Sequence, residues 1–395
     1  MRFLTAGESH GRGIISIIDG YPSGVDIDAD FLNGELSRRQ KGFGRGGRMS
    51  IEKDTVEIVS GIRKGKSTGA PVSFIIRNRD WENWKDIMDI GPESGESEKD
   101  SGNKLLNPRP GHADLNGYLK YGLNDVRDVI ERSSARETAA RVAAGGFAKI
   151  ILKLLCIDIF SYVEQIGSVA LESEVRADNK NSGNAELLKE IELSEVRCPD
   201  KKVSLKMKEE IKKTMGSGDS IGGKFRVIAT GVPAGLGSYS QWDRRIDGEI
   251  ARMFMSIPAA KAVEIGDGFN APLMTGINFH DKIYYKKGKG FYRKTNRAGG
   301  IEGGITNGEP VIVGACMKPI PTTSKGSDSV NIKTKESVIS LKERSDVCVV
   351  PAAAVIGESM LAITLVNAVQ DKFGGDSIEE ILNNYDNYKK HIENI

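Results

Sequence analysis

Two adjacent glycines inside an otherwise strong helix constrain this chain more than any other feature of its 395 residues. They close the stretch 132–146, RSSARETAARVAAGG. Ser134 followed three positions later by Glu137 is a capping-box pattern, which predicts a helix beginning at Ser134. Ala139, Val142, Ala143, Phe147 and the run 150–155 continue it with an apolar, small-residue face. Gly145 and Gly146 each cost such a helix about 1 kcal/mol relative to alanine. A pair of them points to another backbone, or a ligand, approaching closely. Arg132 lies just before the cap and Arg136 in the first turn, where the helix dipole favours anions rather than cations. Two readings stay open here. Either an anion is held there by free N–H groups and two guanidiniums, or these are surface arginines paired with Glu131 and Glu137.

Upstream, residues 3–5 and 13–18 read as strands, and they bracket Gly7-Glu8-Ser9-His10-Gly11. His10 therefore sits in a tight loop whose glycines allow a ligand close to the backbone. Asp28 caps a helix through Phe31, Leu32 and Leu36 that stops at Gly42. It delivers Arg38, Arg39, Lys41, Arg45 and Arg48 into RRQKGFGRGGRMS, which reads equally as a solvated loop, an RGG-like nucleic-acid segment or an anion-binding lid. Strands at 55–62 and 72–77 flank Gly65-Lys66-Ser67-Thr68-Gly69. That joint imitates a phosphate-binding P-loop but lacks a glycine at Ser60, and a strand follows where the motif needs a helix. It is rejected.

Residues 91–104 are polar and loop-like. In 107–114, NPRPGHAD, two prolines and Gly111 hold His112, and Asp114 either orients that ring or caps the next helix. Residues 157–224 read as scaffold and oligomer contacts, with a polar break at 176–184. Strands follow at 225–232, 261–266 and 310–315, and an Ala-rich apolar helix at 351–373 is built for burial. An amphipathic helix on Ile378, Ile381, Leu382, Tyr385 and Ile392 closes the chain. The strands lie too close together for βαβ crossovers, so the fold class is mixed α and β. Length alone allows two domains, but no linker interrupts the chain, and one large domain, 1–395, is expected.

Net charge is +2, which gives no global basic excess for nucleic acid. Cys156, Cys198, Cys316 and Cys348 are far apart, which argues against a zinc site or disulfide framework and fits a reducing cytoplasm. The first residues lack a signal-peptide core, and no apolar run is expected to approach the roughly 20 residues that span a bilayer. A cytoplasmic protein without membrane or nucleic-acid partners is expected. The loops together offer Arg39, Arg45, Arg48, Arg109, Arg136 and Arg344, two held histidines, and Asp346 beside an arginine. That set suits a substrate with several fixed negative groups and acid/base chemistry, with no metal-ligand spacing.

The blocks GESHG at 7–11, RPGHAD at 109–114, RSSARETAARVAAG at 132–145, and RSD at 344–346 with GES at 357–359 resemble the signatures of chorismate synthases. SIPA…VEIGDGF at 256–269, AGGIEGG at 298–304 and KPIPT at 318–322 follow the same order. The resemblance implies an α+β domain with a helical layer sandwiched between antiparallel β-sheets, assembled as a homotetramer. It implies conversion of 5-enolpyruvylshikimate 3-phosphate to chorismate and phosphate by anti 1,4-elimination, the last step of the shikimate pathway. Reduced FMN is required, with no net redox change. Carried over by position, His10 acts as general acid, His112 settles the protonation of the reduced flavin, and Asp346 assists the ring-proton transfer. Substrate contacts fall on Ser9, Arg39, Arg45, Arg48, Arg109, Ser134, Arg136 and Arg344. Flavin contacts fall on Arg132, Ser133, Ser134, Pro258, Ala259, Gly303, Lys318, Pro319, Ile320, Pro321, Thr322 and Arg344. Where many relatives carry Asn-Ala this chain has Pro258-Ala259, a change a backbone contact tolerates. Some relatives reduce their own flavin with NADPH. No G-x-G-x-x-G follows a strand here, so an external flavin reductase is expected. The rivals are an RNA-binding protein, and a flavin-dependent reductase or lyase acting on another phosphorylated carboxylic acid.

Overall fold

Alternating apolar residues build the first sheet from strands β1 (Arg2–Ala6), β2 (Gly13–Asp19), β3 (Glu57–Ser60) and β4 (Val72–Arg77), all paired antiparallel in the order β1-β2-β4-β3. Period-two alternation sends Ile14, Ile18, Val72, Phe74 and Ile76 inward, while Leu4, Ile15, Ile17 and Val59 face out. The computed structural model describes residues 1–46, 53–91, 104–172, 175, 185–288, 290–341 and 346–395. The polar break 176–184 and nearly all of 91–104 lie outside them, as do Arg48 and Arg344.

The second sheet is also antiparallel and runs β8-β9-β7-β5-β6. Its strands are β5 (Asp158–Ile166), β6 (Val169–Ala170), β7 (Gly223–Thr230), β8 (Ala260–Ile265) and β9 (Val311–Met317). Phe225, Val227 and Val313 face the main core, whereas Phe160, Tyr162 and Ile228 face the other way under Ile191. The helix Ala185–Leu193 thus covers the outer face of this sheet.

Between the sheets lie three helices: α1 (Ala29–Gln40), α2 (Thr138–Leu154) and α3 (Val350–Phe373). Asp28 caps α1 by accepting from the Phe31 N–H. Helix α2 packs on the first sheet, with Phe74 and Phe147 stacked at 5.9 Å, and α3 packs on β5 and β7. A helical layer between antiparallel sheets is the arrangement expected. One hydrophobic core runs through all of it.

The glycine pair explains how the middle layer closes. A Cβ on Gly145 would stand 2.5 Å from the Ser359 Cα of α3, and one on Gly146 2.8 Å from Leu32 Cδ2 of α1. Each glycine admits a different neighbour, and the close partner is protein rather than ligand. On α3, a Cβ at Gly357 would meet the Phe225 ring at 2.7 Å. Gly357 faces the sheet, Ser359 faces α2, and Glu358 between them is fully buried.

Two expectations need correcting. With 24 residues, α3 is long and apolar enough to cross a membrane, so the reading that no run approaches that length fails. Most of it is buried inside the protein, as a core helix requires. The capping box is only half formed. Ser134 Oγ accepts from the Arg136 N–H and caps a single 3-10 turn, Ala135–Glu137, before α2 begins at Thr138. Glu137 does not reach back; it accepts from Thr5 Oγ1 and Arg141 Nε, both at 2.8 Å.

Candidate active site

His10 is positioned by the turn between β1 and β2. Gly7 adopts φ +103°, and a Cβ there would strike the Gly13 carbonyl oxygen at 2.3 Å, so only glycine allows the turn. The turn rests on the end of the helix Arg127–Ser133, with the Ser9 N–H donating to the Glu131 carbonyl at 3.0 Å. Glu131 is almost wholly buried and receives the His10 backbone N–H at 2.8 Å. His10 Nδ1 lies 2.9 Å from both of its carboxylate oxygens. Burial works against charge on Glu131, but the hydrogen bonds and charge of His10, with Arg127 beyond, outweigh it and hold this carboxyl below its usual range. The Trp84 ring stacks on the imidazole at a centroid distance of 3.7 Å, and Asn78 Nδ2 donates to the Gly11 carbonyl at 3.1 Å.

Ser134 Oγ donates to Ser9 Oγ at 3.1 Å, joining this loop to the turn that carries Arg136. Arg132, in the last turn of its own helix, donates to the Thr5 carbonyl at 2.9 Å and the Gly7 carbonyl at 3.3 Å. Its charge is therefore well placed at a helix C-terminus, not misplaced at an N-terminus. Ser133 ends that helix in an exposed position. Neither surface pairing of the arginines occurs: Glu131 serves His10 and Glu137 serves Arg141.

Arg136 and Arg39 are both buried and share Asp54, at 2.5 and 2.8 Å. Burial, then the like charges of Arg45 and Arg136, push the Arg39 guanidinium below its ordinary pKa despite Asp54. Its Nε is buried without a hydrogen-bond partner. Arg45 pairs with Asp346 at 3.0 Å, and the Gly46 N–H donates to Asp346 Oδ1 at 2.6 Å. Asp346 is thus tied to the arginine loop, a pairing the sequence did not announce.

The third group forms around Thr322. His112 Nε2 lies 2.8 Å from Thr322 Oγ1, and Arg109 donates to the same oxygen at 3.2 Å. Asp114 does not orient His112. It accepts from Arg109 Nε at 2.8 Å and from the Arg109 N–H at 3.0 Å, because a fully buried carboxylate needs the fork of a guanidinium more than a neutral ring. Burial first, and then the charges of Arg109 and Lys318, lower the His112 pKa from 6.5 to about 4. Its ring is neutral at pH 7. Lys318 Nζ donates to the Gly111 carbonyl at 2.5 Å, and Pro321 packs 3.2 Å from where a Gly111 Cβ would stand. The Lys318 N–H donates to the carbonyl of Ala259, which has φ +68°, so the Pro258-Ala259 corner meets residues 318–322. Ile320 accepts from Ser220 Oγ, beside Pro319. Gly303 lies in the hairpin Ile301–Glu302 and Ile305–Thr306, with open space where a Cβ would stand.

A cavity of about 390 Å³ has a lining that reaches from Ile130, next to Glu131, to Asn107, two residues before Arg109. Among the described residues no cluster of His, Cys, Asp and Glu is arranged to hold a metal ion. Asp54, Glu131 and Trp84 belong to this site and escape sequence reasoning. Asp54 and Trp84 carry no local signal. Glu131 lies beside a motif, where it reads as a partner for arginine rather than for His10.

A family model described as chorismate synthase matches residues 1–370. The chain belongs to the chorismate synthase family. Chorismate synthase from Sulfurihydrogenibium sp. (strain YO3AOP1) is 52% identical over 100% of both chains. That from Aquifex aeolicus (strain VF5) is 49% identical over 100% of this chain and 98% of its own. A solved structure titled "Crystal Structure of Chorismate Synthase" superposes with a TM-score of 0.79 at 40% identity, covering 100% of this chain and 98% of that one. Membership in the chorismate synthase family makes the chain a carbon–oxygen lyase of aromatic amino acid biosynthesis.

Proposed function

We propose that the chain converts 5-enolpyruvylshikimate 3-phosphate to chorismate and phosphate by anti 1,4-elimination, the last step of the shikimate pathway. One observation carries this reading. A half-buried histidine, through its neighbour Ser9, and a buried arginine pair flank the same turn, Ser134 to Arg136, a pairing of proton donor and cations that suits departure of a phosphate. Arg39 and Arg136, with Arg45, supply forked donors for the phosphate and the two carboxylates of the substrate. Arg48, Arg109 and Arg344 complete the clamp, and Ser9 and Ser134 add hydroxyls. His10 Nε2 gives a proton to the bridging oxygen as the bond to carbon 3 breaks. Asp346, anchored by Arg45 and the Gly46 N–H, assists removal of the proton from carbon 6.

The residues present fit reduced FMN. Lys318 and Arg132 are cations for its phosphate, and neutral His112 with Thr322 offers a polar edge for a ring system. Ser133, Ser134, Pro258, Ala259, Gly303, Pro319, Ile320, Pro321 and Arg344 are the remaining contacts of this reading. When bound, reduced flavin supplies electron density that favours phosphate loss, and a nitrogen that accepts the ring proton. The flavin is reduced by an external reductase rather than by NADPH on this chain. The exposed row Leu4, Ile15, Ile17 and Val59 supports burial against further copies in a homotetramer. Four free thiols suit the cytoplasm.

The test is an anaerobic assay with FMN, dithionite and 5-enolpyruvylshikimate 3-phosphate, following chorismate absorbance and phosphate release. Product is expected only with reduced flavin. A folded protein that forms none acts on another phosphorylated acid. Rapid NADPH oxidation by the purified protein with FMN would overturn the external-reductase reading.

A further inference from the structure

We infer that Glu131 is a positioning residue for the elimination: it fixes the proton of His10 on Nδ1, so that Nε2 alone exchanges a proton with the substrate. This rests on the general-acid reading of His10.

The geometry leaves the ring little choice. Both Glu131 oxygens lie 2.9 Å from Nδ1, and Oε2 also receives the His10 backbone N–H at 2.8 Å. An ionised carboxylate has no proton to donate, so every polar neighbour in reach must donate to it. Glu131 is 2% exposed, and its carboxyl is held below the usual range chiefly against burial by those same hydrogen bonds. Nδ1 therefore carries its proton whether or not the ring is charged. The backbone N–H and the ring N–H of one residue converge on one carboxylate, which sets the ring rotation. Trp84, stacked at an interplanar angle of 22°, fixes the plane of the ring from its face. Arg127 stands behind both, near the Trp84 ring at 5.9 Å and acting on Glu131 through its charge.

The chemical consequence follows from the two nitrogens. With Nδ1 occupied, the doubly protonated ring presents a single labile N–H, on Nε2. As the carbon–oxygen bond breaks, that proton moves to the departing phosphate oxygen, and the ring is left neutral with Nδ1–H still on Glu131. Without the carboxylate, an imidazole in water prefers its neutral proton on Nε2 and can rotate, so the Nδ1–H ring left after proton transfer loses its support and the acid loses its aim. This is the orienting role that a buried carboxylate plays toward histidine in acid/base catalysis.

The experiment uses the full-length protein labelled with ¹⁵N in its four histidines, without substrate or flavin. Solid-state ¹⁵N NMR reads the protonated nitrogen of His10, assigned by its loss in His10→Asn. The expected result is a protonated Nδ1 and a bare Nε2 in the neutral ring, with the proton moving to Nε2 in Glu131→Ala. In the anaerobic assay, Glu131→Ala is expected to lose at least tenfold in kcat with KM changed less than threefold. Glu131→Gln keeps an acceptor oxygen and is expected to recover most of kcat. If Glu131→Ala does not fold, the wild-type tautomer and the Gln variant still decide. A wild-type proton on Nε2, or full turnover in Glu131→Ala, overturns the role of Glu131. A wild-type enzyme that makes no chorismate overturns the proposed reaction instead, and leaves the tautomer reading standing.

Discussion

Arg38 and Arg39 are neighbours at the end of α1, and they stand in opposite surroundings. Arg38 joins a closed network in which it reaches both oxygens of Glu358, at 2.7 and 2.8 Å, and also Glu35 and Glu192. Lys149 donates to Glu358 and Glu35 at 2.5 Å, and Ser161 and Arg197 complete the shell of Glu358. The cations Arg38, Lys149 and Arg197 face the anions Glu35, Glu192 and Glu358. Burial works against the charge of Arg38, but Glu358 and Glu35 outweigh it and raise its pKa well above the ordinary value. Arg39, one residue on, shares Asp54 with Arg136 and is pushed down instead.

The difference teaches how to tell a structural charge cluster from a binding one. Each has a buried N–H without a partner, Arg197 Nε in the first and Arg39 Nε in the second, so that criterion does not separate them. The balance of burial against neighbouring charge does. The Glu358 network satisfies its charges internally and ties α1, α2, α3 and β5 together. Burial and the like charges of Arg45 and Arg136 hold Arg39 below its ordinary pKa despite Asp54, so an anion bound beside it would relieve it. The network fixes the end of α1 that carries Arg39.

Breaking the Glu358 network has the largest expected effect. Glu358→Gln should lower the unfolding free energy in urea by about 3–5 kcal/mol, the cost of leaving buried cations with a partner removed. A loss under about 1 kcal/mol would show that the network does not hold the helices. Gly145→Ala probes the same α2–α3 seam and should cost about 1–3 kcal/mol by overpacking. Adding Ser359→Gly should recover only part, since the Ser359 Cα itself lies 2.5 Å from the new methyl. Full recovery would place the clash on the side chain alone.

The third effect is smaller and depends on pH. The folded His112 titrates at about 4 and the unfolded one near 6.5, so between these values the unfolded chain binds a proton that the folded chain refuses. Stability contributed by this group is complete above 6.5 and is lost as pH falls toward 4. His112→Gln should flatten the stability profile between pH 6.5 and 4.5 relative to wild type, measured by urea unfolding. Glu131, Asp54 and Glu358, all held low, lose stability in the same direction as the pH falls and are common to both proteins. An unchanged slope would show His112 to be protonated in the folded state.

Much of this was legible in the sequence, and its limits have physical causes. Strand alternation and caps are local signals, so β1, β2, α1 and α3 fell where the residues predicted. The glycine pair announced a close approach without naming its partners, because Ser359 and Leu32 come from distant parts of the chain. The order of the signature blocks gave the family. Partner choice among charges was not legible. Glu131 has Arg132 beside it in sequence yet holds His10, and Asp114 has His112 beside it yet holds Arg109. Asp54 lies 82 residues from Arg136, and no spacing rule joins them.

The most direct test of the account is the affinity of 5-enolpyruvylshikimate 3-phosphate for two variants, Arg39→Met and Lys149→Met, measured by calorimetry alongside their unfolding in urea. The account predicts that Arg39→Met loses affinity at least tenfold and stays close to wild type in stability, because Asp54 keeps Arg136. Lys149→Met should keep affinity within about threefold, while its stability falls further than that of Arg39→Met, because it leaves two buried carboxylates, Glu35 and Glu358, each short of a cation. Equal losses of affinity in the two variants, or a loss confined to Lys149→Met, would contradict it.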